Sequence, residues 1–199
     1  LTDTEMGCGS SKIVGEPYYN AKEESEFLLL GVTHKDLDKF SLVFQKFDQL
    51  KQRYLVIQEF LDGLRLQHNM LTAKIFNVAD SEQNSMLSFR EFVLFSRNFL
   101  TMTGDEIYNF TFDIYDLEGN GSLSPDELKA VLIKVHGKAH VKAKLKAVME
   151  LMDSSHDHKI SRNEFLGHIR SFTALVFPVF AIQEALRQHI MGEKFWTKL

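Results

Sequence analysis

Four twelve-residue segments, each opening with aspartate and closing with glutamate, recur along this 199-residue chain between stretches of helical apolar spacing. They are DQLKQRYLVIQE from Asp48, DSEQNSMLSFRE from Asp80, DLEGNGSLSPDE from Asp116 and DSSHDHKISRNE from Asp153. Successive starts lie 32, 36 and 37 residues apart. The eighth position is always aliphatic (Leu55, Leu87, Leu123, Ile160), and the closing glutamate is followed by Phe60, Phe92, Leu128 or Phe165. Pairs at helical spacing lead into most segments: Phe44 with Phe47, Phe112 with Tyr115, Met149 with Met152. A repeat of this period marks helix–loop–helix units that cannot bury their apolar faces alone and must stack on one another.

The oxygen chemistry of the segments is that of a hard cation. Calcium takes about six to eight oxygens at about 2.3–2.6 Å. Side-chain oxygens at alternate positions 1, 3 and 5 of a tight loop turn inward, a carbonyl at 7 adds to them, and a bidentate carboxylate at 12 closes the shell. A positive φ is wanted at position 6, which favours glycine. The aliphatic eighth residue lets two loops pair through a short β-bridge. Over residues 35–172 the pattern resembles the EF-hand superfamily, which implies an all-α fold. The expected architecture is two EF-hand pairs, with short β-bridges between paired loops, plus a C-terminal helix. The corresponding division is a mobile arm over 1–32, an N-terminal pair over 33–100 with degenerate loops 48–59 and 80–91, a C-terminal pair over 101–172 with loops 116–127 and 153–164, and a helical extension over 173–199.

The third loop meets every requirement. Asp116, Glu118 and Asn120 fill positions 1, 3 and 5, Gly121 turns the chain, Ser122 offers its carbonyl, Ser124 holds a bridging water and Glu127 closes the site. The fourth offers Asp153, Ser155, Asp157, the Lys159 carbonyl, Ser161 and Glu164, with His158 at the position that prefers glycine. That substitution costs on the order of 1 kcal/mol, so weaker binding is expected there. The second loop has Asp80, Glu82, Asn84, the Met86 carbonyl and Glu91, but Ser85 replaces glycine; it is a weak candidate. The first loop keeps Asp48 and Glu59 but places Leu50, Gln52, Arg53 and Val56 where donors or glycine belong. It is expected to be silent and kept for pairing, with Arg53 bringing positive charge toward the ion. One or two calcium ions, with a third at the second loop as the open alternative, are expected at roughly 10⁻⁷ to 10⁻⁵ M, with magnesium as competitor.

Helix starts follow from capping signatures at Thr103 with Glu106, Ser124 with Glu127, and Ser161 with Glu164. Pro125 suits the first helical position. A further helix is expected over residues 177–192, opened by Pro178 and ended by Gly192. Its apolar side, with Phe180, Ile182, Leu186 and Ile190, has three readings: core packing, a plug for the hydrophobic groove of an EF-hand lobe, or part of a target-binding surface.

Composition limits the alternatives. With 23 basic against 27 acidic residues the chain is not the basic protein a nucleic-acid binder usually is. One cysteine, Cys8, excludes an internal disulfide, and no Cys/His cluster suits zinc. The histidines are dispersed, without an H-E-x-x-H arrangement, and the acid pairs are accounted for as ion ligands, so an enzyme is not expected. MGCGSSK over residues 6–12 reads as a myristoylation signal on Gly7 if translation starts at Met6, with Cys8 as the second acyl acceptor. With the five preceding residues attached, the same stretch is a Gly/Ser-rich tail whose glycine is internal. No acidic residue lies between Glu127 and Glu150, where Lys129, Lys134, Lys138, Lys142, Lys144 and Lys146 fall. That run reads as a solvated helix face and linker, with an anionic membrane or an acidic partner as the alternative.

The four repeats, FDIYDLEGNGSLSPDEL in the third and the acylation-like start are most similar to the calcineurin B and calcineurin-B-like group, then to neuronal calcium sensors. The tail from Ser171 departs from the calcineurin B ending. The resemblance implies a cytoplasmic calcium sensor or regulatory adaptor, peripheral at membranes if acylated. Its partner would be an amphipathic helix of a phosphatase, kinase, transporter or cytoskeletal component, bound to Phe- and Met-rich surface exposed on calcium binding. The alternatives are a constitutive docking subunit of an axonemal or cytoskeletal assembly and, behind it, a calcium buffer.

Overall fold

A computed structural model describes residues 16–196, so Gly7 and Cys8 lie outside the described residues. In chain order the elements are α1 (Ala21–Leu29), α2 (His34–Phe47), β1 (Tyr54–Leu55), α3 (Ile57–Gly63), α4 (Met70–Ala79), β2 (Leu87–Ser88) and α5 (Phe89–Thr101). There follow α6 (Gly104–Tyr115), β3 (Ser122–Leu123), α7 (Pro125–His136), α8 (Val141–Met152), β4 (Ile160–Ser161), α9 (Arg162–His168), α10 (Thr173–Ile190) and α11 (Glu193–Trp196). The fold is all-α, and its strands are bridges of two residues each.

The strands pair as expected from the aliphatic eighth positions. β1 and β2 run antiparallel with Leu55 opposite Leu87, and β3 and β4 with Leu123 opposite Ile160. All four side chains are fully buried. The longer helices are amphipathic at the spacing their burial demands. In α5, Phe89, Phe92, Val93, Phe95, Ser96, Phe99 and Leu100 face inward, a stripe that recurs every three or four residues. Ser88 caps this helix, accepting the Glu91 N–H while the Glu91 carboxylate takes the Ser88 N–H. Phenylalanines dominate the interior: Phe40, Phe44, Phe47, Phe89 and Phe92 meet edge to face, a geometry that adds to their burial.

Two expectations are corrected. The segment assigned to an arm, 1–32, contains α1. Asn20 accepts the N–H groups of Lys22 and Glu23, and the Glu23 carboxylate takes the Asn20 N–H in return. Phe27 is fully buried, Tyr18 and Tyr19 both stack on Phe89, and the Arg90 guanidinium grips Glu26 with bonds of 2.7 and 2.8 Å. The N-x-x-E cap at Asn20 was the available signal. At the other end, the helix expected over 177–192 begins at Thr173, and Pro178 lies inside it. Proline there removes one N–H near the helix start, which Leu175, Val176 and Val179 offset by burying on the same helix.

That helix packs on α5, α6 and α7, while Trp196 and Phe195 of α11 meet Phe40 of α2 edge-on. The C-terminal extension therefore touches both halves of the repeat array. Among the described residues no single helix is long and apolar enough to cross a membrane.

Candidate metal centres

The four loops share one hydrogen-bond frame. In each, the opening aspartate accepts the N–H groups of positions 5 and 6: Gln52 and Arg53 on Asp48, Asn84 and Ser85 on Asp80, Asn120 and Gly121 on Asp116, Asp157 and His158 on Asp153. The closing glutamate spans the loop, taking the N–H of position 3 on one oxygen and that of position 9 on the other. Amide hydrogens thus fix the carboxylates from behind. At each loop entrance the aspartate N–H bonds back to the helix carbonyl four residues earlier, as in Asp116 to Phe112 and Asp153 to Met149.

Backbone conformation separates the loops. Positions 4 and 6 both have positive φ in every one: Lys51 and Arg53, Gln83 and Ser85, Gly119 and Gly121, His156 and His158. Only the third loop has glycine at both, at φ 68° and 80°. Position 4 thus selects for glycine as position 6 does, and Gly119 is its signal in the sequence. In the fourth loop both positive-φ residues are histidines, and both rings are exposed.

The second and third loops match closely in their polar contacts. The amide of Asn84 donates to Glu82 and that of Asn120 to Glu118, at 3.4 and 2.8 Å. The Asn84 carbonyl oxygen accepts the Met86 N–H, as Asn120 accepts that of Ser122. The Ser88 and Ser124 hydroxyls donate to Glu91 and Glu127. Asp80, Glu91, Asp116, Glu127 and Asp153 are buried, whereas Glu82, Glu118, Ser155 and Asp157 are exposed. In the fourth loop the Ser155 hydroxyl turns toward Asp153, the Asp157 carboxylate takes the Lys159 N–H, and Ser161 donates to Glu164.

The first loop keeps the frame and its end carboxylates, Asp48 and Glu59, but not the donor at position 3. Leu50 is 63% exposed and carries no oxygen in its side chain. Arg53 corrects the expectation of charge turned toward an ion: its guanidinium donates to the Glu16 and Pro17 carbonyls and lies 4.9 Å above the Tyr18 ring.

The frame also sets the acidity of the closing glutamates. Burial raises the Glu127 carboxyl, but the Ser124 N–H and hydroxyl with the Glu118 and Leu117 N–H groups outweigh it and hold the group below its ordinary value. Glu91 is lowered by the same balance at Ser88, Glu82 and Ser81. Glu164 is driven down to about 2 by the Ser161 hydroxyl and N–H and the Ser155 N–H. All three stay ionised well below neutral pH, as cation ligands must.

Among the described residues no three His, Cys, Asp or Glu side chains converge tightly enough to hold an ion by themselves. A complete shell would have to draw on Asn120, Ser124 and the Ser122 carbonyl as well. Oxygen-only donors of mixed carboxylate, amide and carbonyl type suit a large hard cation and not zinc or copper.

Beside these loops, an apolar groove of about 340 Å³ opens between α4, α5 and α6, lined by Val78, Leu94, Phe95, Phe99, Met102 and Phe110.

The family model for an EF-hand domain pair matches residues 104–170. Over 147 residues the chain is 31% identical to the type 2 calcineurin B protein of Homo sapiens, an alignment covering 69% of this chain and 86% of that protein. The Bos taurus protein of the same name is 32% identical over 148 residues, covering 70% and 86%. The calcium-binding protein SPEC 1A of Strongylocentrotus purpuratus is 27% identical over 145 residues, covering 70% and 95%.

Proposed function

Because the chain belongs to the EF-hand family, as a relative of the calcineurin B proteins, we propose that it is a calcium-responsive regulatory subunit that acts by binding rather than by catalysis. The observation that carries this is the third loop, where a preformed frame of backbone bonds holds two buried carboxylates and glycine occupies both positive-φ positions. Asp116, Glu118, Asn120, the Ser122 carbonyl, Ser124 through a water, and Glu127 form its ligand set. Asp153, Ser155, Asp157, the Lys159 carbonyl, Ser161 and Glu164 form the second. Asp80, Glu82, Asn84, the Met86 carbonyl and Glu91 form a weaker third, in a loop with Gln83 and Ser85 at positive φ where the third loop has glycine.

Bound calcium supplies a charge that the opening aspartate and closing glutamate share. The residues of the chain convert this into movement: Asp116 ends α6, and Glu127 lies in the first turn of α7, so closer approach of the two carboxylates turns one helix against the other. The same holds for α8 and α9 around Asp153 and Glu164. Helix α10 packs on α6 and α7 and feels this rotation.

The calcineurin B relatives are subunits by name, proteins that work within an assembly. By that relation the partner is a target protein presenting an amphipathic helix, with the groove of Val78, Phe95, Phe99 and Met102 as its seat. A constitutive docking role is the second reading, favoured by a first loop that folds without a donor at position 3 and by an α10 already seated across α5, α6 and α7.

Calorimetric titration of calcium in millimolar magnesium, with a dye for exposed apolar surface, tests the proposal. Two sites in the micromolar range with a rise in dye signal are expected, one lost in Glu127→Gln and the other in Glu164→Gln. Absence of binding overturns the proposal, and binding without new apolar surface leaves the constitutive docking role.

A further inference from the structure

Charge is segregated along this chain. Six of its 23 basic residues and none of its 27 acidic ones lie between residues 128 and 149, so the remainder holds 17 basic against 27 acidic. The excess falls on α7 and α8, which pack together, and on the turn joining them, a 3-10 segment over Lys138–His140. Basic side chains occupy alternate residues through that turn: Lys134, His136, Lys138, His140 and Lys142. Every residue from 137 to 140 is exposed, as are Lys129, Lys134, Lys142, Lys144 and Lys146. Lys146 pairs with Glu150 at 3.6 Å. Among the described residues Lys129, Lys134, Lys138, Lys142 and Lys144 have no ion-pair or hydrogen-bond partner.

From this geometry we infer that the α7–α8 elbow is a docking surface for an anionic lipid bilayer, and that the protein sits on membranes through it. The relief of the surface fits a flat, diffuse target. Ala139 and Ala143, both exposed, separate the lysines with side chains too short to stand above them. The chemistry of the cations points the same way. All six are lysines, with no arginine between residues 128 and 149. Lysine is a mobile point charge suited to an array of headgroups, whereas arginine, with its rigid fork, is the cation enriched where proteins meet proteins.

Position makes the surface compatible with loaded loops. The elbow is where α7 ends and α8 begins, nine residues of α7 past Glu127 and the twelve residues of α8 ahead of Asp153. That is about 14 Å and about 18 Å of helix, beyond a Debye length of about 8 Å at physiological salt, so the elbow neither repels a cation in the loops nor is neutralised by their carboxylates. The inference does not rest on calcium binding, and it holds for the chain without an acyl group.

Co-sedimentation of the full, unacylated chain with vesicles of phosphatidylcholine alone or with about a third phosphatidylserine tests it, with and without calcium. Binding to the anionic vesicles only is expected, weakening as salt rises. Lys134→Gln/Lys138→Gln/Lys142→Gln is expected to lower the partition coefficient by about 10²-fold. Removing the same charge elsewhere, in Lys35→Gln/Lys46→Gln/Lys51→Gln, is expected to leave it within about threefold. Circular dichroism of both variants establishes that they fold. Equal loss in both variants shows a net-charge effect and overturns the elbow. Wild-type chain that ignores anionic vesicles overturns the lipid assignment, and capture by immobilised polyglutamate in that case reassigns the surface to an acidic protein.

Discussion

The side-chain amide of Gln183, in the middle of α10, donates to the carbonyl of Phe99 at 2.8 Å. It reaches the Met102 carbonyl as well, and Arg187 one turn on donates twice to Leu100. The C-terminal end of α5 leaves carbonyls that the helix cannot satisfy itself, and α10 supplies the donors. Gln183 is 3% exposed, so water cannot replace it. Gln183→Leu keeps the volume, takes the Gln183 donor from the Met102 carbonyl and leaves the Phe99 carbonyl with the long Met102 N–H bond of 3.4 Å. It is expected to lower unfolding free energy by about 1–3 kcal/mol, read by urea denaturation, and to loosen α10 from the end of α5, read as higher dye binding without calcium. An unchanged midpoint would mean that α10 is held by apolar burial alone.

A second constraint lies at Gly63, the last residue of α3. A β-carbon there would collide with the Phe47 ring, which is itself 3% exposed and wedged against Phe92. Alanine normally favours a helix over glycine by about 1 kcal/mol, but here the ring has nowhere to go. Gly63→Ala is therefore expected to destabilise by about 1–3 kcal/mol in spite of the propensity gain. A stabilised variant in thermal melting would show that α2 and α3 can part.

Positive φ at His158 leads to a distinction between stability and affinity. The residue stands at φ 64° with its loop frame formed by hydrogen bonds alone. The strain is present before any ion arrives. His158→Gly relieves about 1–2 kcal/mol against about 0.5–1 kcal/mol of added chain entropy. The expected outcome is a gain of under about 1 kcal/mol in unfolding free energy, with calcium affinity of the fourth loop within about twofold of wild type. A tenfold tighter site would mean that the loop relaxes out of this conformation when empty.

How much could be read beforehand follows from where the determinants lie. The bridges at Leu55–Leu87 and Leu123–Ile160 were legible because the eighth position repeats and an aliphatic residue there has one use. Helix α1 was not, because nine residues with a single buried side chain, Phe27, show little periodicity. Its stability comes from Phe89 and Arg90, contacts of high sequence separation, with Tyr19 packed between Phe27 and Phe89. The start of α10 was misplaced because Pro178 was given the first helical position, while the helix tolerates it in the second turn. Arg53 shows the same limit at a site: its type revealed that the first loop lacked a glycine, but the Glu16 and Pro17 carbonyls it holds are visible only in the fold.

Acid is expected to unfold the metal-free protein through the closing glutamates. Glu164 is held at about 2 against an ordinary 4.5 by the Ser161 hydroxyl and N–H and by the Ser155 N–H. Glu127 is also lowered, burial opposing but the Ser124, Glu118 and Leu117 donors prevailing. A carboxylate with a depressed folded pKa contributes stability that is complete above its unfolded value and lost as pH falls through its folded one. The loss should therefore set in near pH 4.5 and continue to about pH 2, with little dependence on pH between 5 and 7 from these groups. Glu164 is largely open to solvent at its carboxyl, so part of its contribution is screened. Glu164→Gln is expected to flatten the urea midpoint between pH 4.5 and 2 in chelator while leaving the slope caused by Glu127. An unaltered slope would show that the Ser161 bonds persist in the unfolded chain or are exchanged with water at no cost.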